Sequence, residues 1–145
     1  MIRNPDHVTI AVRDADAAVA FFGLLGFELA HVARIDGGEP AAYMGNPTMK
    51  ADHITLVLKG SEPEFQIQLL RFDEPVPDGP TPEPSRGSIR GFNHLALRVD
   101  DIADAAANLT ANGVRALTGE MDYIGRKLRF FEGPERVTIE LVEWD

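Results

Sequence analysis

Polar and apolar residues alternate over 6–12, Asp-His-Val-Thr-Ile-Ala-Val, with Val8, Ile10 and Val12 on one side and His7, Thr9 and Ala11 on the other. A period of two predicts a half-buried strand whose aliphatic side packs inward. The same pattern returns over 93–99, Asn-His-Leu-Ala-Leu-Arg-Val, which puts His94, Ala96 and Arg98 together. Each strand is followed by a pair of acidic residues able to cap a helix, Asp14 and Asp16 in one case and Asp100 and Asp101 in the other. Helical composition then spans 17–22 and 102–109, and Gly26 and Gly113 stand where a helix end favours positive φ.

The chain is therefore written twice. Residues 65–72 lie over 137–144, both alternating, so that Gln68 occupies the place of Glu140. Between helix and last strand, two further strands per half are expected, over 27–35 and 52–60, then 114–118 and 127–131. Five prolines and three glycines in residues 73–91 exclude a regular helix or central strand and mark a linker. Residues 36–52 contain Gly37-Gly38, two prolines and the apolar Tyr43-Met44, without a counterpart in the second half, and read as an irregular loop inserted over one end of a sheet. The expected fold is α+β in one domain over 1–145. Two βαβββ repeats (1–72 and 92–145) would form paired, curved, mixed sheets around a central cavity, with the helices outside.

Composition narrows the chemistry. At 145 residues and 44% hydrophobic, the chain is the size of one domain with a sizeable core. No apolar run approaches the roughly 20 residues of a membrane helix, and the start of the chain has no secretory pattern, so a cytoplasmic protein without membrane association is expected. A net charge of −9 is opposite to a nucleic-acid-binding footprint, which leaves a small-molecule ligand or substrate as the expected partner. Without cysteine, any metal must be held by nitrogen and oxygen, which suits Fe, Mn, Co, Ni, Zn or Mg.

Strand alternation places four metal-capable side chains, His7, Gln68, His94 and Glu140, opposite the aliphatic faces at equivalent positions of the two repeats. Two imidazoles with one or two oxygen donors make a reasonable ligand set for a divalent ion that keeps positions open for substrate. A lone histidine at a strand start is more often an ordinary half-buried residue. The doubling is what favours a site. Gln68, a neutral amide, could instead hydrogen-bond a bound water. His53 stands in Asp52-His53-Ile54-Thr55-Leu56, a near copy of the strand at His7, but another strand follows it where the repeat requires a helix; it is expected near the pocket or surface. His31 is expected to face solvent. Tyr43, Met44, His53, Phe72 and Trp144 are candidates for a substrate pocket. The basic run Arg126-Lys127-Leu128-Arg129 reads as a solvated strand face, Arg86 and Arg90 could meet an anionic substrate, and Phe21-Phe22 and Phe130-Phe131 read as core. Neither a phosphate loop, a nucleophile elbow nor a dinucleotide fingerprint occurs.

Four segments carry a resemblance to a known family: 6–12, Gly23-Leu24-Leu25-Gly26-Phe27, 93–101, and Phe131-Glu132-Gly133-Pro134-Glu135 followed by Val137-Thr138-Ile139-Glu140-Leu141. Over nearly its whole length the chain resembles the vicinal oxygen chelate superfamily of glyoxalases, methylmalonyl-CoA epimerase, extradiol dioxygenases, fosfomycin-modifying enzymes and bleomycin-binding resistance proteins. The resemblance implies a metal held by His7, Gln68, His94 and Glu140, a set most similar to that of the epimerase. It also implies enolate or oxyanion stabilisation by an isomerase, epimerase or glyoxalase-like lyase, with Glu140 or Glu39 as base, and assembly as a homodimer. Two alternatives stay open. One is a metal-free drug- or metabolite-binding protein of the bleomycin-binding type. The other is an Fe(II) extradiol-type dioxygenase using His7, His94 and Glu140.

Overall fold

The computed structural model describes residues 1–79 and 90–145. They fall into two units, Met1–Asp78 and Gly79–Asp145. The first contains β1 (His7–Ala11), α1 (Ala15–Leu24), β2 (Phe27–Asp36), α2 (Gly38–Tyr43), β3 (Lys50–Leu58) and β4 (Gln66–Phe72). The second contains β5 (Leu95–Arg98), α3 (Ile102–Ala111), β6 (Met121–Asp122), β7 (Arg126–Glu132), a 3-10 turn (Pro134–Arg136) and β8 (Thr138–Trp144). Among the described residues the sheets have four strands each, in the orders β1-β4-β3-β2 and β5-β8-β7-β6. In each, the first strand pairs in parallel with the last and the remaining pairs are antiparallel. This is the α+β, twice-written βαβββ arrangement that the alternation predicts.

The helix signals act as expected. Asp14 Oδ1 accepts from the Ala17 amide at 2.9 Å and Asp101 Oδ1 from the Asp104 amide at 2.8 Å, each satisfying one otherwise orphaned donor. Gly26 and Gly113 follow the two helices with φ of 87° and 80°. The aliphatic sides of the strands are buried. Ile10, Phe22, Leu56, Ile67 and Leu69 form the core of the first unit, and Ile102, Leu109, Phe131, Ile139 and Leu141 that of the second. Each fully buried side chain of this kind stabilises the fold by about 1.5–3 kcal/mol relative to exposure. Glu143 Oε2 also accepts from the Ile102 amide at 2.7 Å, tying the start of α3 to the last strand.

Two expectations are corrected. Residues 36–52 are not irregular: β2 runs to Asp36, β3 starts at Lys50, and the six-residue α2 lies between. Gly37 and Gly38, with φ of 67° and 77°, turn the chain into that helix. Residues 114–118 are not a strand. Only Ala116 bridges, to Phe131, and pairing resumes at β6. The reason is local: the Thr118 hydroxyl accepts from the Phe130 amide, replacing the backbone partner that a continuing strand would offer. Of the linker, 73–79 and 90–91 carry neither helix nor strand, and the remainder, with Arg86, lies outside the described residues. Among the described residues no helix is long and apolar enough to cross a membrane.

One side of the first sheet carries an ionic cluster. Arg34 donates to Asp52 at 3.0 Å and to Asp73 at 2.8 Å, and Arg71 Nε donates to Asp52 at 3.1 Å. The Arg71 bond, then the Arg34 bond, hold the Asp52 carboxyl below its usual range, and Arg34 does the same for Asp73. Because both folded values lie below the unfolded ~3.9, the stabilisation is present above that pH and lost as pH falls through the folded values. Melting temperature should therefore drop as pH is lowered below about 4. In Asp52→Asn it should start lower at neutral pH and fall less steeply; parallel curves would show that the cluster contributes nothing.

Candidate functional site

The register aligns the two halves residue by residue. Thr9 pairs with Gln68 and Ala96 with Glu140, so His7 and His94 each stand two residues before the partner of the presumed oxygen ligand. In an alternating strand that spacing keeps histidine and oxygen donor on one face.

In the second unit the pair is closed. His94 Nε2 lies 2.7 Å from Glu140 Oε2, and His94 Nδ1 lies 2.8 Å from Asn93 Oδ1. The edge of the His94 ring meets Phe130 with centroids 5.4 Å apart. Glu140 is 7% exposed, and a carboxylate so buried requires a cationic or hydrogen-bonded partner. His94 supplies it from Nε2. A cation replacing that donated proton would be held by the same two atoms.

The first unit repeats half of this and changes the rest. His7 Nδ1 lies 2.6 Å from Asp6 Oδ2, so donation from Nδ1 leaves the Nε2 lone pair available. Gln68 belongs to a polar chain. Its Oε1 receives His53 Nε2 at 2.9 Å, its Nε2 donates to Gln66 Oε1 at 3.0 Å, and Gln66 Nε2 donates to Glu64 Oε1 at 2.8 Å. The Thr9 hydroxyl sits 3.5 Å from Gln68 Oε1. With His53 donating from Nε2, the amide oxygen, the atom a metal would need, faces His53 and the Thr9 hydroxyl.

The remaining candidates disperse. Tyr43 projects from α2 at 92% exposure and Glu39 is exposed on the same helix, while Met44, its C-cap, is half-buried. Phe72 is half-buried at the end of β4, on the Gln68 face, and Trp144 is exposed at the end of β8, on the Glu140 face. His31 is exposed on β2, paired with Thr55. Among the described residues no three His, Asp or Glu side chains gather as a metal cluster.

Sequence reasoning missed two things: that His53 holds Gln68, and that Asp6 and Asn93 each engage the Nδ1 of the following histidine. A signal existed for both. Asp6-His7 and Asn93-His94 repeat as acceptor followed by histidine, and alternation puts His53 and Thr55 on the face of Gln68.

Comparison with known proteins bears on the fold and the family. A search of curated proteins finds no match. Among solved structures, a glyoxalase family protein from Bacillus cereus is similar, at 23% identity and TM-score 0.86, covering 99% of this chain and 95% of that one. TnmS3, an antibiotic binding protein from a Streptomyces species, aligns at 21% identity and TM-score 0.67, covering 99% and 98%. FosX, a fosfomycin resistance protein from Listeria monocytogenes solved with Mn(II) and sulfate, aligns at 16% identity and TM-score 0.62, covering 100% and 95%. The model of the Glyoxalase/Bleomycin resistance protein/Dioxygenase superfamily matches residues 4–141, and the chain belongs to that superfamily.

Proposed function

We propose that this protein is a metal-dependent enzyme acting on a small, oxygen-bearing substrate by proton transfer, as an isomerase, epimerase or glyoxalase-like lyase. His94 and Glu140 are its principal metal ligands, joined by His7 and Gln68. The observation that carries this reading is the closed His94–Glu140 pair, with a buried carboxylate and an imidazole whose second nitrogen is already engaged by Asn93. Ligating histidines characteristically give their other ring nitrogen to a carboxylate or carbonyl oxygen, which fixes the ring and its tautomer. Both His7 and His94 have that partner.

A divalent ion so held would supply Lewis-acid stabilisation of charge developing on a substrate oxygen. The chain's own groups do the rest. Asp6 and Asn93 orient the imidazoles, His53 holds Gln68 Oε1, and the Glu140 carboxylate, on leaving the metal, is the group that would take and return a proton. The test is turnover by purified protein of diacids, thioesters, hemithioacetals and catechols. Activity abolished by chelator, restored by a divalent ion and retained without oxygen is the expected result; oxygen uptake dependent on ferrous iron would replace this reading with a dioxygenase.

Gln68 admits a separate test. In His53→Ala its Oε1 loses a fixed donor, and metal affinity should weaken by about 10- to 100-fold, the usual scale for removing a group that orients a ligand. Affinity unchanged in that variant, while His94→Ala abolishes binding, would make Gln68 a bystander.

A second reading is favoured by Trp144, half exposed on the Glu140 face, together with the similarity to an antibiotic binding protein. A metal-free sequestering protein would bind aromatic compounds with an affinity unaffected by chelator.

A further inference from the structure

Beyond His94 and Glu140, the same face of the second sheet continues along β8 to Val142 and Trp144. Register places Arg98 and Leu128 beside Val142, and Arg126 beside Trp144. At about 3.3 Å per residue, these rows stand roughly 7 and 13 Å from Glu140 along the strand. The expectation of a solvated basic face fails here for Arg126. It is half-buried, its guanidinium lies 4.4 Å from the centre of the Trp144 ring, and its Nε is shielded from solvent without an acceptor among the described residues. A guanidinium that has lost water on one edge gains more than a fully hydrated one from an anion at its open nitrogens.

Arg98 is exposed on the same face and has no ion pair among the described residues. Elsewhere in this chain of net charge −9, Arg34, Arg71 and Arg115 are each paired with a carboxylate, whereas neither arginine of this face has such a partner among the described residues. Glu143, between Val142 and Trp144 on β8, belongs to the other face, where it accepts from the Ile102 amide at 2.7 Å, and Asp145 lies against Gly125, its amide donating to the Gly125 carbonyl at 3.3 Å. Val142 and Leu128, level with Arg98, form an apolar row between Arg126 and Glu140, and Phe130 lies beside Glu140.

We infer that Arg98 and Arg126, with Trp144, form an oxyanion-binding end of this face for a carboxylate or phosphoryl group of the substrate. The substrate is then an organic acid whose anionic end is separated from its reacting oxygens by an apolar stretch of roughly 7 to 13 Å. The substrate class rests on the metal-enzyme reading above; the anion site does not require it.

Trp144 is the sole tryptophan and reports on the site directly. Metal-stripped protein is titrated with benzoate, inorganic phosphate and the neutral benzamide at fixed ionic strength while tryptophan fluorescence is followed. A saturable change with benzoate or phosphate, but not with benzamide, is expected. Its dissociation constant should rise about tenfold or more in both Arg126→Gln and Arg98→Gln, the scale of one charge-assisted hydrogen bond. Saturation by phosphate alone assigns a phosphoryl group, and saturation by benzoate assigns a carboxylate. Circular dichroism checks that each variant is folded, and the exposed Arg98 provides the variant least able to disturb the sheet. No saturable response, an equal response to benzamide, or an unchanged constant in Arg98→Gln would overturn the inference. Because metal binding is measured separately, its failure would remove the enzyme reading and leave the anion site standing.

Discussion

Replacing His94 with alanine is expected to weaken metal binding by more than about 100-fold and to lower stability by about 2–3 kcal/mol. The stability loss arises because Glu140 stays buried without its partner. Removing one member of a fully buried pair costs about 3–5 kcal/mol, and the 35% exposure of the His94 side chain places this case below that range. Glu140→Gln should behave differently. The amide oxygen can still accept from His94 Nε2 while the buried charge is gone, so the expected stability change is under about 1 kcal/mol, although metal binding is again lost. The double variant should recover most of the stability lost in His94→Ala. Chemical denaturation of the three variants measures this, and equal destabilisation by His94→Ala and Glu140→Gln would show that the buried charge is not what the histidine satisfies.

Phe131→Ala is the second large effect, expected to destabilise by about 3–5 kcal/mol. The side chain is fully buried on β7, opposite Ile139, on the face that packs against α3. Removing it opens a cavity between sheet and helix that the surrounding Leu and Ile side chains cannot close. Its neighbour Phe130 points to the other face, beside Glu140 and the His94 ring, and is only half-buried. Phe130→Ala should therefore cost clearly less stability. Comparable losses in thermal melts of the two variants would contradict the face assignment on which the site is built.

That assignment was legible in the sequence because a strand needs only alternation to declare its faces. His7, Gln68, His94 and Glu140 each stand opposite buried aliphatic residues, and the caps at Asp14 and Asp101 and the turns at Gly26 and Gly113 are local signals fulfilled locally. The α2 helix was not legible. It is six residues long, opens on Gly37-Gly38 and contains Pro40, all of which read as breakers. The strand expected at 114–118 failed for the opposite reason: the apolar pattern is present, but Thr118 competes through its side chain for the Phe130 amide.

Within the site, the missing information was pairing across strands. Sequence equivalence shows Gln68 where Glu140 stands. The β3–β4 register, with Thr55 opposite Gln68, brings His53 within reach of Gln68 Oε1. The second half has no such histidine, since Leu128 fills the matching place beside Phe130. The two halves thus diverge where their proposed oxygen ligands differ: the carboxylate of Glu140 meets His94, and the neutral amide of Gln68 is held by His53 rather than by His7. An amide needs such fixing more than a carboxylate does, because only one of its two ends can ligate.

The most direct test of the account is calorimetric titration of metal-stripped protein with Mn(II), Fe(II), Co(II), Ni(II), Zn(II) and Mg(II), beside Glu140→Gln under the same conditions. Saturable binding of one ion per chain by at least one of these metals, lost in Glu140→Gln, is the expected result. Absence of binding throughout, or equal binding by the variant, would contradict the assignment of Glu140 as a metal ligand.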